Sequence, residues 1–235
     1  SPSPSENAEL AGLIYTDKLT AKADNTLTVT ETVKNKAGTD DTIVELEGRN
    51  VTFVGSSFKT LTVKGTESIT LDEGDLYGED DIALNTRNLT VTANITTANG
   101  NINLTGTDNL LVTGSLTAGQ QIGLNGKNIQ LSGAKLNNGA NAKTTVASES
   151  AVITGTITTD TGADLSVKAQ NVIVGDSGTT NIAVSKFTVE GVDITPEEMP
   201  SVDRDEKTVK VGKNTYTSYN SFIGTYVAET TVPEL

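Results

Sequence analysis

The stretch ITTANGNINLTGTDNLLVTGSLTAGQQIGLNGKNIQLSGAKLNNG, residues 95–139, carries one phrase twice over. The pair Ile102/Leu104 returns as Ile122/Leu124, Leu110/Val112 returns as Ile129/Leu131, and Leu116 returns as Leu136. An apolar-x-apolar pair marks a strand that turns alternate side chains to one face. A unit of about 20 residues with two such pairs and one further apolar position cannot bury that face alone, so it must stack on copies of itself.

The phrase continues outward in both directions. The first pair is Val44/Leu46, Leu61/Val63 and Ile82/Leu84 before the quoted stretch, then Thr144/Val146, Leu165/Val167 and Ile182/Val184 after it. The second pair is Val51/Phe53, Ile69/Leu71 and Leu89/Val91, then Ala151/Ile153, Val172/Val174 and Phe187/Val189. The third position is filled by Phe58, Leu76, Ile95, Leu116, Leu136, Ile157 and Val192. These spacings predict an all-β parallel solenoid of about eight coils, each bonded through its backbone to the coils above and below. At roughly 4.8 Å per coil the rod is on the order of 40 Å long. A column of Asn50, Ser68, Asn88, Asn109, Asn128, Ser150 and Asn171 stands just before the second pair, where stacked amides can bond along the axis.

Composition agrees with a thin-cored rod. The chain has 235 residues with 39 Thr, 20 Asn and 22 Gly, and only 9 aromatics, so the core must be built from small aliphatic layers. With no Cys and no His, disulfides, thiol nucleophiles, Ser-His-Asp triads and the usual zinc, haem and iron–sulfur sites are excluded. A net charge of −13 argues against nucleic acid as a partner. No apolar run reaches the roughly 18 residues of a membrane span, and no basic leader precedes an apolar stretch, so direct membrane insertion is not expected and any leader is taken as already removed.

The phrases Leu116 to Leu124 and Asn128 to Leu136 follow the patterns L-x-A-G-x-x-I-x-L and N-I-x-L-x-G-x-x-L. In these, residues 44–194 resemble the repeats of the filamentous-haemagglutinin type of secreted bacterial adhesin. The resemblance implies a right-handed parallel β-helix, export to the cell surface, and a structural or adhesive role.

Domain organisation follows from where the phrase fails. Residues 1–40 read as a flexible lead-in over 1–12 and an irregular capping coil, residues 41–195 as the solenoid, and residues 196–235 as a linker and strand-like tail. The tail holds Tyr216, Tyr219, Phe222 and Tyr226, four of the nine aromatics. It either caps its own rod or adds as an exchanged strand to a neighbour. On the outward side of the second pair, Leu111, Val152 and Ile173 are large apolar groups where a wet face is expected, which marks them with the tail aromatics as a candidate assembly interface.

Two chemical sites were weighed. Asp72, Glu73, Asp75, Glu79, Asp80 and Asp81 place six carboxylates in ten residues, a candidate calcium loop whose spacing is not that of an EF-hand. No other cofactor is expected. Catalysis by paired acids needs charged groups in register on adjacent coils, yet residues 101–159 hold only Asp108, Lys127, Lys135, Lys143 and Glu149 as charged residues. The expected role is therefore non-enzymatic: a subunit of an extracellular self-assembling filament, joined head to tail with copies of itself. The alternative is a monomeric cell-surface adhesin or stalk that binds a host, matrix or glycan ligand, and the remote alternative is a polysaccharide-active β-helix enzyme.

Overall fold

Two inward-facing pairs separated by a corner can be one strand or two, depending on whether the backbone keeps pairing through the bend. In the computed structural model it does. The model describes residues 6–34, 41–139, 142–154, 156–158, 164–174, 181–183, 186–189, 192–194, 201–203, 208–211, 214–216 and 222–223, with side chains through 149 and at 151 and 165–167. The first and second pairs of each coil lie on single strands: Ile43–Phe53, Thr60–Leu71, Ile82–Val91, Ile102–Val112, Ile122–Ser132, Lys143–Thr154 and Asp164–Val174. In Ile43–Phe53, Ile82–Val91 and Ile122–Ser132 the alternation changes phase at the corner, whereas in Thr60–Leu71 and Ile102–Val112 an extra residue there keeps the phase. Val44, Leu46 and Gly48 face in, and then Val51 and Phe53 do. The third position sits on separate short strands, such as Leu76–Gly78, Ile95–Thr97 and Ser115–Thr117, which stack into a sheet of their own. The fold is thus an all-β parallel solenoid of about seven full turns, with no helix among the described residues.

The core is a single layer of side chains from each face, with two inward columns on the first and second faces. Leu61, Ile82, Ile102, Leu104, Leu110, Leu116 and Leu124 are all fully buried, as is Thr144, which takes the place of an aliphatic in its column. Within the described side chains the asparagine column forms in two runs, 50–68 and 88–128, with no pairing between Ser68 and Asn88; the side chains of Ser150 and Asn171 lie outside those described. Ser68 Oγ donates to Asn50 Oδ1 (2.8 Å), Asn109 Nδ2 to Asn88 Oδ1 (2.7 Å) and Asn128 Nδ2 to Asn109 Oδ1 (3.3 Å).

The corner column runs Gly48, Gly65, Thr86, Gly106 and Gly126. Six residues separate Val44 from Asn50 and Ile122 from Asn128, but seven separate Leu61 from Ser68 and Ile102 from Asn109. The surplus residue is absorbed as a bulge at the corner, where the pairing register shifts. The tighter bend turns the Ser68 carbonyl back over Gly65 and the Asn109 carbonyl over Gly106, leaving no room for a Cβ at either. Thr86 and Ser148 bring buried hydroxyls to this corner, and neither oxygen has a partner. An unsatisfied buried hydroxyl costs on the order of 1 kcal/mol or more. Thr86→Val keeps the shape and removes the orphan, so the variant is expected to be more stable than the parent by about 1 kcal/mol in a urea melt.

Several sequence expectations are corrected. The rod begins at Asn7, inside the stretch read as a flexible lead-in: Asn7–Leu10 pairs in parallel with Thr26–Val29, and Asn7 Oδ1 accepts from Asn25 Nδ2 (3.1 Å). Asn7-Ala8-Glu9-Leu10 repeats the polar–apolar–x–apolar pattern of the later coils, most of which have Asn at the first place, and this outweighs the nearby Pro and Ser. Phe58 pairs with Gly78 rather than Leu76, two residues beyond its expected column, so its buried ring lies in register with a residue that has no side chain. On the same face Lys135 pairs with Thr158, so Leu136 and Ile157 are not directly paired.

The eighth coil is also reassigned. Ile182 pairs with Ile157 on the third face, while Phe187 and Val189 pair with Leu165 and Val167 on the first. The step of 22 residues from Leu165 to Phe187 matches that from Ile122 to Thr144, and the 17 from Leu165 to Ile182 matches that from Val44 to Leu61, so spacing admits either register and the pairing decides. This last coil does not complete itself. Lys186–Val189 turns back into antiparallel pairing with Val192–Ile194. The tail then returns to its own rod, with Phe222 opposite Val172 and Ile223 opposite Asn171, also antiparallel.

One interruption breaks the long sheet. Thr60–Leu71 and Ile82–Val91 pair only from Leu61↔Ile82 to Lys64↔Asn85. Beyond the corner, Ser68–Leu71 and Asn88–Val91 share no ladder, although each pairs in full with the coil on its other side.

Candidate functional site

The six-carboxylate run is divided between two corners by the strand Leu76–Gly78. Asp72, Glu73 and Asp75 lie at the first, in a turn where Gly74 adopts a left-handed φ of 84°. Glu79, Asp80 and Asp81 lie at the second. Among the described residues no three acidic side chains come together in a way that would hold a metal ion.

The aspartates instead serve the coil above. Asp75 Oδ1 accepts the Asn94 backbone N–H (2.9 Å), and Asn94 Oδ1 in turn accepts that of Ser115 (3.3 Å). Asp81 Oδ1 accepts the Asn101 N–H (2.7 Å), and Asn101 Oδ1 that of Gln121 (3.0 Å). These are two further side-chain ladders, with steps of 19 to 21 residues that the sequence displays and sequence reasoning passed over. Since Asn does the same task one coil later, the amide is an adequate substitute for the carboxylate. Asp81→Asn is expected to lie within about 1 kcal/mol of the parent, with Asp81→Ala about 1–2 kcal/mol less stable. Calcium or EDTA is expected to leave the melting temperature of both unchanged. A calcium-dependent rise in the parent that Asp81→Asn abolishes would restore the metal reading.

The bulges in Thr60–Leu71 and Ile102–Val112 each push a carboxylate outward, at Glu67 and Asp108. Arg87, from the unbulged coil between them, binds both: its guanidinium donates to Asp108 and lies 3.5 Å from Glu67. The hydrogen bond to Asp108 raises the Arg87 pKa above its ordinary value, helped by the charges of Asp108 and Glu67. The group is open to solvent, so it acts as a clamp across three coils rather than as a reactive centre.

The residues marked for assembly are only partly brought together. Leu111 is half-buried on the outer side of its strand, flanked in register by Thr90 and Gln130, so it does not touch a second large apolar group of that column. The backbone register continues from Gln130 to Val152 and Ile173. Tyr216 lies on the strand Asn214–Tyr216 of a small antiparallel sheet with Ser201–Asp203 and Thr208–Val211, and Phe222 on the strand beside Val172. The side chains of Val152, Ile173, Tyr216 and Phe222, and residues Tyr219 and Tyr226 altogether, lie outside what the structure describes.

The most exposed large apolar side chains were not among those expected. They are Leu13 (65% exposed) and Tyr15 (55%), both at the N-terminal end of the rod, followed by Tyr77 (40%). At that end the outer edges of Asn7–Leu10 and Ile14–Tyr15 meet no other strand among the described residues. The broken ladder between Ser68–Leu71 and Asn88–Val91 opens a lateral cavity of about 520 Å³. No family model, no curated protein and no solved structure matches this chain.

Proposed function

We propose that the chain is a non-catalytic structural rod and a subunit of an extracellular fibre in which copies join end to end. The observation that carries this reading is that, among the described residues, the outer edges of Asn7–Leu10 and Ile14–Tyr15 meet no other strand and lie beside the exposed Leu13 and Tyr15. Such an edge is a template for further pairing, and here its apolar residues add area that water disfavours. The extracellular setting rests on the resemblance of the repeats to secreted adhesins. Support for a mechanical role comes from the ladder itself, since stacked coils bonded along the axis make a stiff spacer.

At the other end, the tail strand Phe222–Ile223 covers Asn171 and Val172 of the last long strand. On this geometry the tail is a removable cap. Deleting residues 196–235 is therefore expected to lower the concentration at which rods join, and Leu13→Asp with Tyr15→Asp to prevent joining. Negative-stain electron microscopy of the full chain over a concentration series tests both. Single short rods at every concentration, in the parent and the truncated chain alike, would favour the second reading, a monomeric stalk or adhesin, which the covered C-terminal end also suits. Loss of fibres on truncation would make the tail itself the joint, as an exchanged strand.

A further inference from the structure

The lateral opening is bounded by strand on both sides. Ser68–Leu71 pairs below with Asn50–Phe53, and Asn88–Val91 pairs above with Asn109–Val112, so each keeps one edge turned toward the opening. The consequence shows in burial: Ile69 and Leu71 are half-exposed, while Val51, Phe53, Leu89, Val91, Leu110 and Val112 in the same columns are buried. The inner wall is aliphatic, with Leu76, Leu84 and Ile95 behind the two edges. Asp72, Glu73 and Asp75 form one end of the lining, and no Lys or Arg lines it. A four-residue strand fills a slab roughly 13 Å long, 4.8 Å wide and 10 Å deep. The cavity volume of about 520 Å³ is of that order.

We propose that this opening binds an extended segment of a partner polypeptide, which adds as a strand between the two edges with apolar side chains at alternate positions and a basic residue beside Asp72 and Glu73. Two facing backbone edges select an extended peptide, because only a strand satisfies both at once. The flanking strands read Ser68-Ile69-Thr70-Leu71 and Asn88-Leu89-Thr90-Val91, so a guest in register places its own two apolar groups in the same columns. The acidic end favours Lys or Arg there and disfavours Asp or Glu. Segments of matching pattern in this chain include Leu61–Val63 before Lys64, Leu165–Val167 before Lys168 and Thr208–Val211 before Lys213, and each of these is already paired on both edges. The occupant is accordingly another polypeptide. The site is independent of end-to-end joining, which uses different edges.

The test adds a fluorescein-labelled hexapeptide, TVTVKK, to the full chain at low salt, reading anisotropy together with amide hydrogen exchange. Expected are saturable binding, slowed exchange confined to residues 68–71 and 88–91, and at least tenfold weaker binding for the acid-ended peptide TVTVEE. Asp72→Lys with Glu73→Lys, both exposed, is expected to weaken TVTVKK tenfold or more. Three results would overturn the proposal: no saturable binding at millimolar peptide, equal binding of the two peptides, or exchange at 68–71 and 88–91 in the free chain as slow as at 109–112, which would mean that the ladder closes in solution. Should the double variant fail to fold, the comparison of the two peptides on the parent chain decides alone.

Discussion

Gly106→Val is expected to unfold the middle of the rod, with a loss of about 3–5 kcal/mol or outright failure to accumulate as soluble protein. The cause is space, not dihedral angle. Gly106 is not among the glycines with positive φ, but the coil it belongs to carries an extra residue in its corner, and the bulge folds the Asn109 carbonyl over the position a Cβ would take. That neighbour is backbone held in a ladder on both sides, so it cannot move aside as a side-chain tip would. The control is Gly48→Ala. Its coil has no surplus residue, the nearest atom to an added Cβ is the Asn50 carbonyl oxygen at 3.2 Å, and a small loss of about 1 kcal/mol is expected. Urea melts followed by far-ultraviolet circular dichroism compare the two. Equal midpoints for Gly106→Val and the parent would mean that the bulge is not formed as described.

The second large effect is expected from Leu104→Ala, which should lower stability by about 3 kcal/mol, while Ile69→Ala should cost about 1 kcal/mol or less. Both remove an aliphatic group from an inward column. Leu104 is fully buried between Leu84 and Leu124, with ladders intact above and below. Its loss leaves a cavity that the coils cannot collapse into, because their 4.8 Å spacing is held by hydrogen bonds. Ile69 borders the lateral opening and is already half-exposed. The same urea melts measure the pair. A cost for Ile69→Ala equal to that for Leu104→Ala would show that the opening is closed in solution, and would count against the peptide site as well. Since each coil touches only its neighbours, a broken middle coil is also expected to broaden the transition as the two halves melt apart.

Most of the rod was legible because its signal is redundant. Seven or eight columns repeat the same two-residue alternation, and a one-residue slip would turn a whole column to water, so the pairs at Ile82/Leu84 through Leu165/Val167 align in the structure as they do in the sequence. The errors fall where redundancy ends. Asn7–Leu10 carries the right pattern in one copy only, beside residues that suggest a loop, and its membership of the rod is decided by Asn25 and Thr26–Val29 being there to pair with it. Ile182 and Phe187 fit the alternation equally well in either of two registers. Turns of 17 and of 22 residues both occur in the rod, so only the pairing of Asn181–Ala183 with Thr156–Thr158 chooses between them.

The candidate sites were harder to read because charge in a sequence does not say what it faces. Asp75 and Asp81 belong to a dense acidic run, which on spacing alone is as good a cation loop as a set of corner acceptors. It is the position of the Asn94 and Asn101 amides one coil above that makes them structural. Leu111, chosen for standing outward, does so, but the residues beside it on the axis are Thr90 and Gln130, so no continuous apolar stripe forms around it. The exposure of Leu13 and Tyr15 was not legible because it depends on what packs against them, which no local pattern records.

The sequence by itself determined that this protein is a parallel β-solenoid, the identity of nearly every inward side chain, and the asparagine column that ties the coils together, since all three follow from a short-range pattern repeated many times. Tertiary structure alone decided where that pattern is interrupted: the bulged corners that demand Gly65 and Gly106, the return of the tail onto Val172, and the unpaired edges between residues 68–71 and 88–91. The physical reason is that a side chain's preference for burial is local, whereas the pairing of a backbone edge depends on whether a second strand, distant in the chain, comes within hydrogen-bonding distance of it.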